Sequence, residues 1–326
     1  MRVVFAGTPA TALPTLHTLV RRGHAVVAVI TRPDAPAGRH GRLRPSAVGQ
    51  AADELGVPVL KPASLRDPAF QTQLRQLAPE VGVVVAYGAL IPPPALAIPP
   101  AGWVNLHFSL LPRWRGAAPV QHALLAGDSH TGATTFRLVS ELDAGPVYRQ
   151  LVEPIGPDDT AGDLLDRLAV AGAALLADTL DDIAAGIQPV PQAAEGVTLA
   201  PKITPEDAHL DWRRPAHDLA RLIAATSPTP GAWTTYRGER FKVLRAKVTD
   251  PGQPGADRLG TGRLDAGNLV PYELAPGQLW ADRHRLLVGT GQGNLDLIQV
   301  QGFGRRPMSG ADWARGAKPE PGDRCE

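Results

Sequence analysis

The chain predicts an α/β domain built on a parallel sheet, followed by a smaller domain of short strands closing as a barrel or a sandwich. Three observations carry this. Strand, helix and strand follow one another from Arg2 to Thr31, an order that gives a right-handed crossover between parallel strands. Val81 to Ala86 (VGVVVA) is apolar at every position but one glycine, as a strand covered on both faces must be. Beyond residue 206 several short strand-like runs are separated by Gly-rich turns, with no helices alternating between them.

With 326 residues the chain exceeds the usual size of one core, so two domains are expected, 1–188 and 206–326, joined by a Pro-rich linker at about 189–205. Arg2 to Ala6 reads as a buried strand. Ala10 to Arg22 reads as a helix with Leu13, Leu16 and Val20 on one stripe, ended by Gly23. Ala25 to Thr31 is the next strand. The FAGTPA turn lacks the G-x-G-x-x-G that lets a backbone approach a pyrophosphate, which argues against a dinucleotide site. Arg32 to Arg44 (RPDAPAGRHGRLR) sets Arg32, Arg39, Arg42 and Arg44 against Asp34 alone, with Pro and Gly opposing regular structure. It reads either as a solvated surface loop or as a phosphate-binding one.

Ser46 to Leu55 and Pro68 to Leu77 read as helices, Val57 to Leu60 as a strand, and Tyr87 to Pro100, with its three consecutive prolines, as loop. Trp103 to His107 is a strand and Pro119 to Ala126 a helix. Thr131 to Leu138 and Pro146 to Ile155 are strands joined so tightly through LDAG that an antiparallel pair is expected. Thr160 to Ala185 is a long helix. The second domain opens on a helix at Ala216 to Ala225, then offers strands at Ala232 to Tyr236, Phe241 to Val248, Gln278 to Ala281, Arg285 to Gly289 and Asn294 to Val300.

A formal net charge of +1 excludes a strongly polyanion-seeking protein overall, yet leaves room for local patches. One lies at Arg237, Arg240, Lys242, Arg245 and Lys247, opposed only by Glu239. It reads either as a basic outer face or as a footprint for a nucleic-acid backbone, depending on whether the charges share a side. The single cysteine, Cys325, excludes an intrachain disulfide and a thiolate metal cluster. No signal-peptide pattern and no apolar run near 20 residues is present, so a cytoplasmic protein with no membrane contact is expected.

The chemistry is expected in WVNLHFSLLPRWRG, Trp103 to Gly116. On a strand, Asn105 and His107 project to one face while Val104 and Leu106 enter the core. Ser109-Leu110-Leu111-Pro112 then breaks the strand, placing the pair at a strand's C-terminal end, where open α/β sheets build their sites. Alone, His107 reads equally as a hydrogen-bonded core residue, and Asp143 in its Gly-containing turn as a turn-former.

Laid side by side, FAGTP (Phe5 to Pro9), PDAPAGR (Pro33 to Arg39), VVVAYG (Val83 to Gly88), NLHFSLLPRWRGAAPVQ (Asn105 to Gln121), LDAGP (Leu142 to Pro146) and PGAW (Pro230 to Trp233) resemble the methionyl-tRNA formyltransferase family, over Val4 to about Trp313. The resemblance implies a Rossmann-like formyltransferase domain with a C-terminal OB-like β-barrel. It also implies transfer of a formyl group from 10-formyltetrahydrofolate to initiator methionyl-tRNA. It makes Asn105, His107 and Asp143 the catalytic trio, and puts Ser109, Leu110, Leu111 and Pro112 in the folate pocket, with main-chain groups near Leu90 and Pro92 on the pterin. Arg39, Arg42 and Arg44 in the loop would contact tRNA, alongside Lys242, Arg245 and Lys247 on the barrel. Asn105 and a protonated or proton-sharing His107 would stabilise an oxyanion. Asp143 would orient the ring or take the amine's surplus proton through water. No metal has a role, and a monomer is expected.

Three stretches depart from the family pattern. Phe108 stands where a small residue is usual, ELDAG replaces GLDTG, and His40, Gly41 and Arg42 replace loop lysines. The alternatives are a related formyltransferase acting on glycinamide ribonucleotide or an amino sugar nucleotide, a formylfolate hydrolase, or a non-catalytic RNA-binding protein. The basic loop and second domain argue against the first two, and the intact trio against the last.

Overall fold

A computed structural model of the chain describes residues 1–37, 42–249, 274–320 and 322–326. Contacts divide it into two compact units. The first comprises Met1–Val120, Ser129–Ile155 and Asp163–Pro201. In chain order its strands are β1 (Arg2–Gly7), β2 (Ala25–Ile30), β3 (Ala35–Ala37), β4 (Arg42–Arg44), β5 (Val59–Leu60), β6 (Val81–Val85), β7 (Trp103–His107), β8 (Arg115–Gly116), β9 (His130–Arg137), β10 (Val147–Pro154) and β11 (Leu199–Ala200). The helices are α1 (Leu13–Arg21), α2 (Ala47–Glu54), α3 (Pro68–Gln76), α4 (Pro93–Leu96), α5 (Pro119–Ala126), which from Gln121 onward belongs to the second unit, and α6 (Ala161–Ala184), which from Asp163 onward belongs to the first.

The main sheet runs β10-β9-β7-β6-β1-β2-β5, parallel from β5 to β7, with β9 antiparallel to β7 and β10 antiparallel to β9. From β1 the chain moves outward to β2 and β5, then crosses back to β6 on the other side of β1. That reversal opens a crevice at the strands' C-terminal ends. There the Thr8 hydroxyl donates to the Tyr87 carbonyl at 2.9 Å, tying the loop after β1 to the loop after β6. Val4, Phe5, Val83, Val85 and Val104 are fully buried, as the apolar runs require.

Several expectations are corrected. The stripe of α1 falls on Leu16 and Leu19, and Val20 is 36% exposed. The Arg32 to Arg44 segment contains a hairpin, β3 with β4; Pro36 is tolerated because a two-stranded ribbon has free edges for a residue with no N–H. Within the Tyr87 to Pro100 loop, Pro92 is the N-cap of α4 and Pro93 and Pro94 fill its first turn, where the missing N–H groups cost nothing. The stretch read as linker belongs to the first unit as far as Pro201, where Val190 bridges Val147 and β11 lies parallel to β8.

The second unit comprises Gln121–Asp128, Gly156–Gly162 and Lys202–Glu326. It holds α7 (Ala216–Thr226), β12 (Ala232–Tyr236), β13 (Glu239–Thr249), β14 (Leu279–Ala281), β15 (Leu286–Gly289), β16 (Asn294–Gln301), β17 (Met308–Ser309) and α8 (Gly310–Ala317). The strands form one antiparallel sheet, β12-β13-β16-β15-β14 with β17 on β16, a half-barrel consistent with an OB-like fold. It wraps a core that includes Leu219, Ile223, Phe241, Val243, Val288 and Leu297. Among the described residues no helix is long and apolar enough to cross a membrane.

Candidate active site

On β7, Val104 and Leu106 are buried in the core while Asn105 and His107 face the other side, with His107 6% exposed. Register with β9 pairs Asn105 with Phe136 and His107 with Thr134. The His107 ring meets Phe136 edge-on at 6.3 Å between centroids. Its Nε2 lies 2.9 Å from the Trp114 carbonyl oxygen, an acceptor only, so Nε2 carries the hydrogen and Nδ1 is left bare. Nδ1 faces Asp143 Oδ2 at 3.8 Å, close enough for charge interaction and too far for a hydrogen bond. Burial holds the His107 pKa below its ordinary value, against the Asp143 charge and the Trp114 hydrogen bond, which both raise it.

Asp143 sits 27 residues beyond Gly116 in sequence, yet its Oδ2 accepts from the Gly116 N–H at 2.8 Å. Its own backbone is left-handed, φ 48°, a conformation Asp tolerates better than most side chains. Two glycines make this turn possible. Gly116 has φ 129°, and a Cβ there would lie 2.6 Å from the Ala200 carbonyl; a Cβ on Gly145 would lie 1.7 Å from the Arg137 carbonyl. A second set of bonds grips the turn from behind. Gln192 Nε2 donates to the carbonyls of Asp143 at 2.7 Å and Gly145 at 2.8 Å. Gln192 Oε1 accepts from Arg115 Nη2 at 2.8 Å and Nε at 3.2 Å.

Among the described residues, no hydrogen bond is made by the Asn105 amide, which is half-buried. Beyond β7, Ser109 and Leu111 are buried, and Leu110 and Pro112 are half-buried. One hydroxyl organises this loop: Thr134 Oγ1 donates to the Ser109 carbonyl at 2.6 Å and accepts from Leu111 N at 3.2 Å and Gln150 Nε2 at 3.1 Å. Phe108 is buried, 7% exposed. Leu90 and Pro92 follow β6, the parallel neighbour of β7, at the same end of the sheet. Leu90 is 78% exposed, and no described residue bonds its main-chain N–H or C=O. Pro92 has no N–H, and its carbonyl already accepts from Ala95 N and Leu96 N at 2.9 Å.

The expected tRNA-contacting residues fall into two groups. Arg39 lies outside the described residues; Arg42 and Arg44 belong to β4, and Arg44 is exposed. On β13, Phe241 and Val243 enter the core before a register slip against β16, and Ala246 packs on that core after it. The slip reverses the alternation, so even-numbered Arg240 and Lys242 and odd-numbered Arg245 and Lys247 share the outer face. Arg240 lies over the Trp233 ring at 4.3 Å, beside a pocket of about 400 Å³ that includes Lys242 and the exposed Phe303. Lys247 pairs with Asp158 at 2.9 Å, and Arg245 donates to the Asp158 carbonyl at 3.0 Å.

Sequence reasoning missed Gln192, Arg115, the Trp114 carbonyl and the Gly116 N–H. Main-chain groups carry no residue-type signal. Gln192 sat in a stretch read as linker.

The family model described as "Formyl transferase" matches residues 1–180, and "Formyl transferase, C-terminal domain" matches 202–318. The chain is 57% identical to a methionyl-tRNA formyltransferase of Acidothermus cellulolyticus, covering 100% of both chains. Among solved structures it is similar in fold to HypX from Aquifex aeolicus in complex with tetrahydrofolic acid, at TM-score 0.64 and 16% identity, covering 96% of this chain and 47% of that longer one. It is also similar in fold to a methionyl-tRNA formyltransferase from Clostridium thermocellum, at TM-score 0.54 and 13% identity, covering 78% of this chain and 95% of that one.

Proposed function

The chain belongs to the methionyl-tRNA formyltransferase family, and from that premise we propose that it transfers the formyl group of 10-formyltetrahydrofolate to the α-amino group of initiator methionyl-tRNA, by direct attack of the amine. The carrying observation is His107 Nδ1 facing Asp143 Oδ2 at the end of the strand that also bears the unengaged Asn105 amide. When bound, the folate supplies the formyl carbon and a nitrogen able to depart from it. Two features suit that ligand: the open main-chain groups of Leu90, and the Ser109 to Pro112 loop held by Thr134.

Asn105 donates to the formyl oxygen as that oxygen gains negative charge. With its Nε2 hydrogen given to Trp114, His107 acts through Nδ1, accepting the proton the amine sheds as the new carbon–nitrogen bond forms. Burial favours the neutral ring needed for this, and Asp143 stabilises the cation that results. His107 then returns that proton to the folate nitrogen as its bond to the formyl carbon breaks, which closes the proton and electron balance. An α-amino group with a reference pKa of about 8 is appreciably neutral at pH 7, so no covalent enzyme intermediate is required.

Arg39, Arg42 and Arg44 in one group, and Lys242, Arg245 and Lys247 in the other, are the proposed contacts to the tRNA backbone. The Lys247–Asp158 pair is exposed and worth at most about 1 kcal/mol, so an RNA phosphate can replace it. Such a substrate places the enzyme in the cytoplasm. The test offers purified protein 10-formyltetrahydrofolate with charged initiator tRNA, charged elongator tRNA or no acceptor. Formylmethionyl product with the first alone supports the proposal; formate release without acceptor, or no product with any, overturns it.

A further inference from the structure

We infer that Gln192, aimed by Arg115, is a positioning residue for the reaction: it holds the Asp143 turn so that the carboxylate stays against His107. The inference rests on the proposed role of Asp143. The amide's orientation follows from its partners. Arg115 has only donors to offer and the two carbonyls only acceptors, so oxygen must face the guanidinium and nitrogen the turn. Both hydrogens of Nε2 are thereby spent on the residues flanking Ala144, one on Asp143 and one on Gly145.

The connection is closed at its other end. Arg115 supplies the guanidinium, its neighbour Gly116 supplies the N–H that binds the Asp143 carboxylate, and Trp114 supplies the carbonyl that orders the His107 ring. Three consecutive residues thus set both members of the pair. β11 and the Thr198 hydroxyl, which accepts from Trp114 N at 2.8 Å, anchor them in turn. Residues 193–197 around this anchor are exposed, and Gln192 itself is half-buried in the wall of an open pocket with Glu141 and Val197. Core burial therefore does not account for Gln192. The position also lies between the two segments that the family models match.

The test is a double-mutant cycle in single-turnover formyl transfer, with Gln192→Leu, Asp143→Ala and the double variant, scored per folded molecule. The expected result is a loss of about tenfold or more in the Gln192→Leu rate, unchanged affinity for methionyl-tRNA, and no further loss from Gln192→Leu once Asp143 is Ala. Equal fractional losses in both backgrounds, or a wild-type rate for Gln192→Leu beside an impaired Asp143→Ala, overturn the inference and leave the reading of Asp143 standing. A wild-type rate for Asp143→Ala overturns that reading as well. Should Gln192→Leu not fold, Arg115→Met takes its place in the cycle with the same expected outcomes.

Discussion

His107 Nδ1 stands 3.8 Å from Asp143 Oδ2 while the other ring nitrogen is bound to the Trp114 carbonyl, so the nitrogen left to exchange a proton is the one that faces a carboxylate. A ring held this way gains a charge partner only when it takes up a proton. That asymmetry suits a base that must become a cation briefly and then release its proton.

Asp143→Asn keeps the shape and removes the charge. The charge raises the His107 pKa and burial lowers it, so the variant's ring stays neutral to lower pH. The expected profile has kcat/KM reduced by about 10²-fold with its acid limb moved to lower pH. An acid limb that stays in place or moves upward counts against the pairing.

Burial of His107 also links stability to pH. Below about 6.5 the unfolded ring binds a proton that the folded ring resists, so stability drains away as pH falls from that value. Urea midpoints of wild type and His107→Gln between pH 7 and 5 are expected to change in the variant's favour on acidification. Parallel curves contradict this.

Asn105→Ala removes an amide that makes no hydrogen bond among the described residues. A loss of about 10² to 10³ in kcat is expected, with little change in the dissociation constant of methionyl-tRNA. A variant that binds tRNA poorly and transfers normally once bound would make Asn105 a binding residue.

Much of the fold was legible because buried elements declare themselves: β1, β2 and β6 are apolar runs that no solvent-facing segment could carry. The β3–β4 hairpin, α4 and α8 were hidden because Pro and Gly usually signal breaks, and only the free edges of a ribbon or the first turn of a helix excuse them. The shared face of Lys242 and Lys247 was illegible for another reason: a bulge changes which positions face outward, and no residue type marks it. At the site, the i and i+2 spacing pointed to Asn105 and His107, whereas the grip of Gln192 on two carbonyls has no counterpart in composition.

The basic residues make a prediction of opposite signs. Arg245→Ala, Lys247→Ala and Arg39→Ala should each weaken tRNA binding and lower the slope of log affinity against log salt by about 1. Asp158→Asn, which frees Lys247 from its partner, should tighten binding. Filter binding across a salt series checks both, and an Asp158→Asn variant that binds more weakly would contradict the assignment of this face.

The most direct test takes His107→Ala and measures, on one preparation, the single-turnover rate of formyl transfer to initiator methionyl-tRNA and the dissociation constant for that tRNA. The rate is expected to fall by about 10² or more with the dissociation constant unchanged. A rate and an affinity that fall together would mean that the ring at the end of β7 holds the substrate rather than moving its proton.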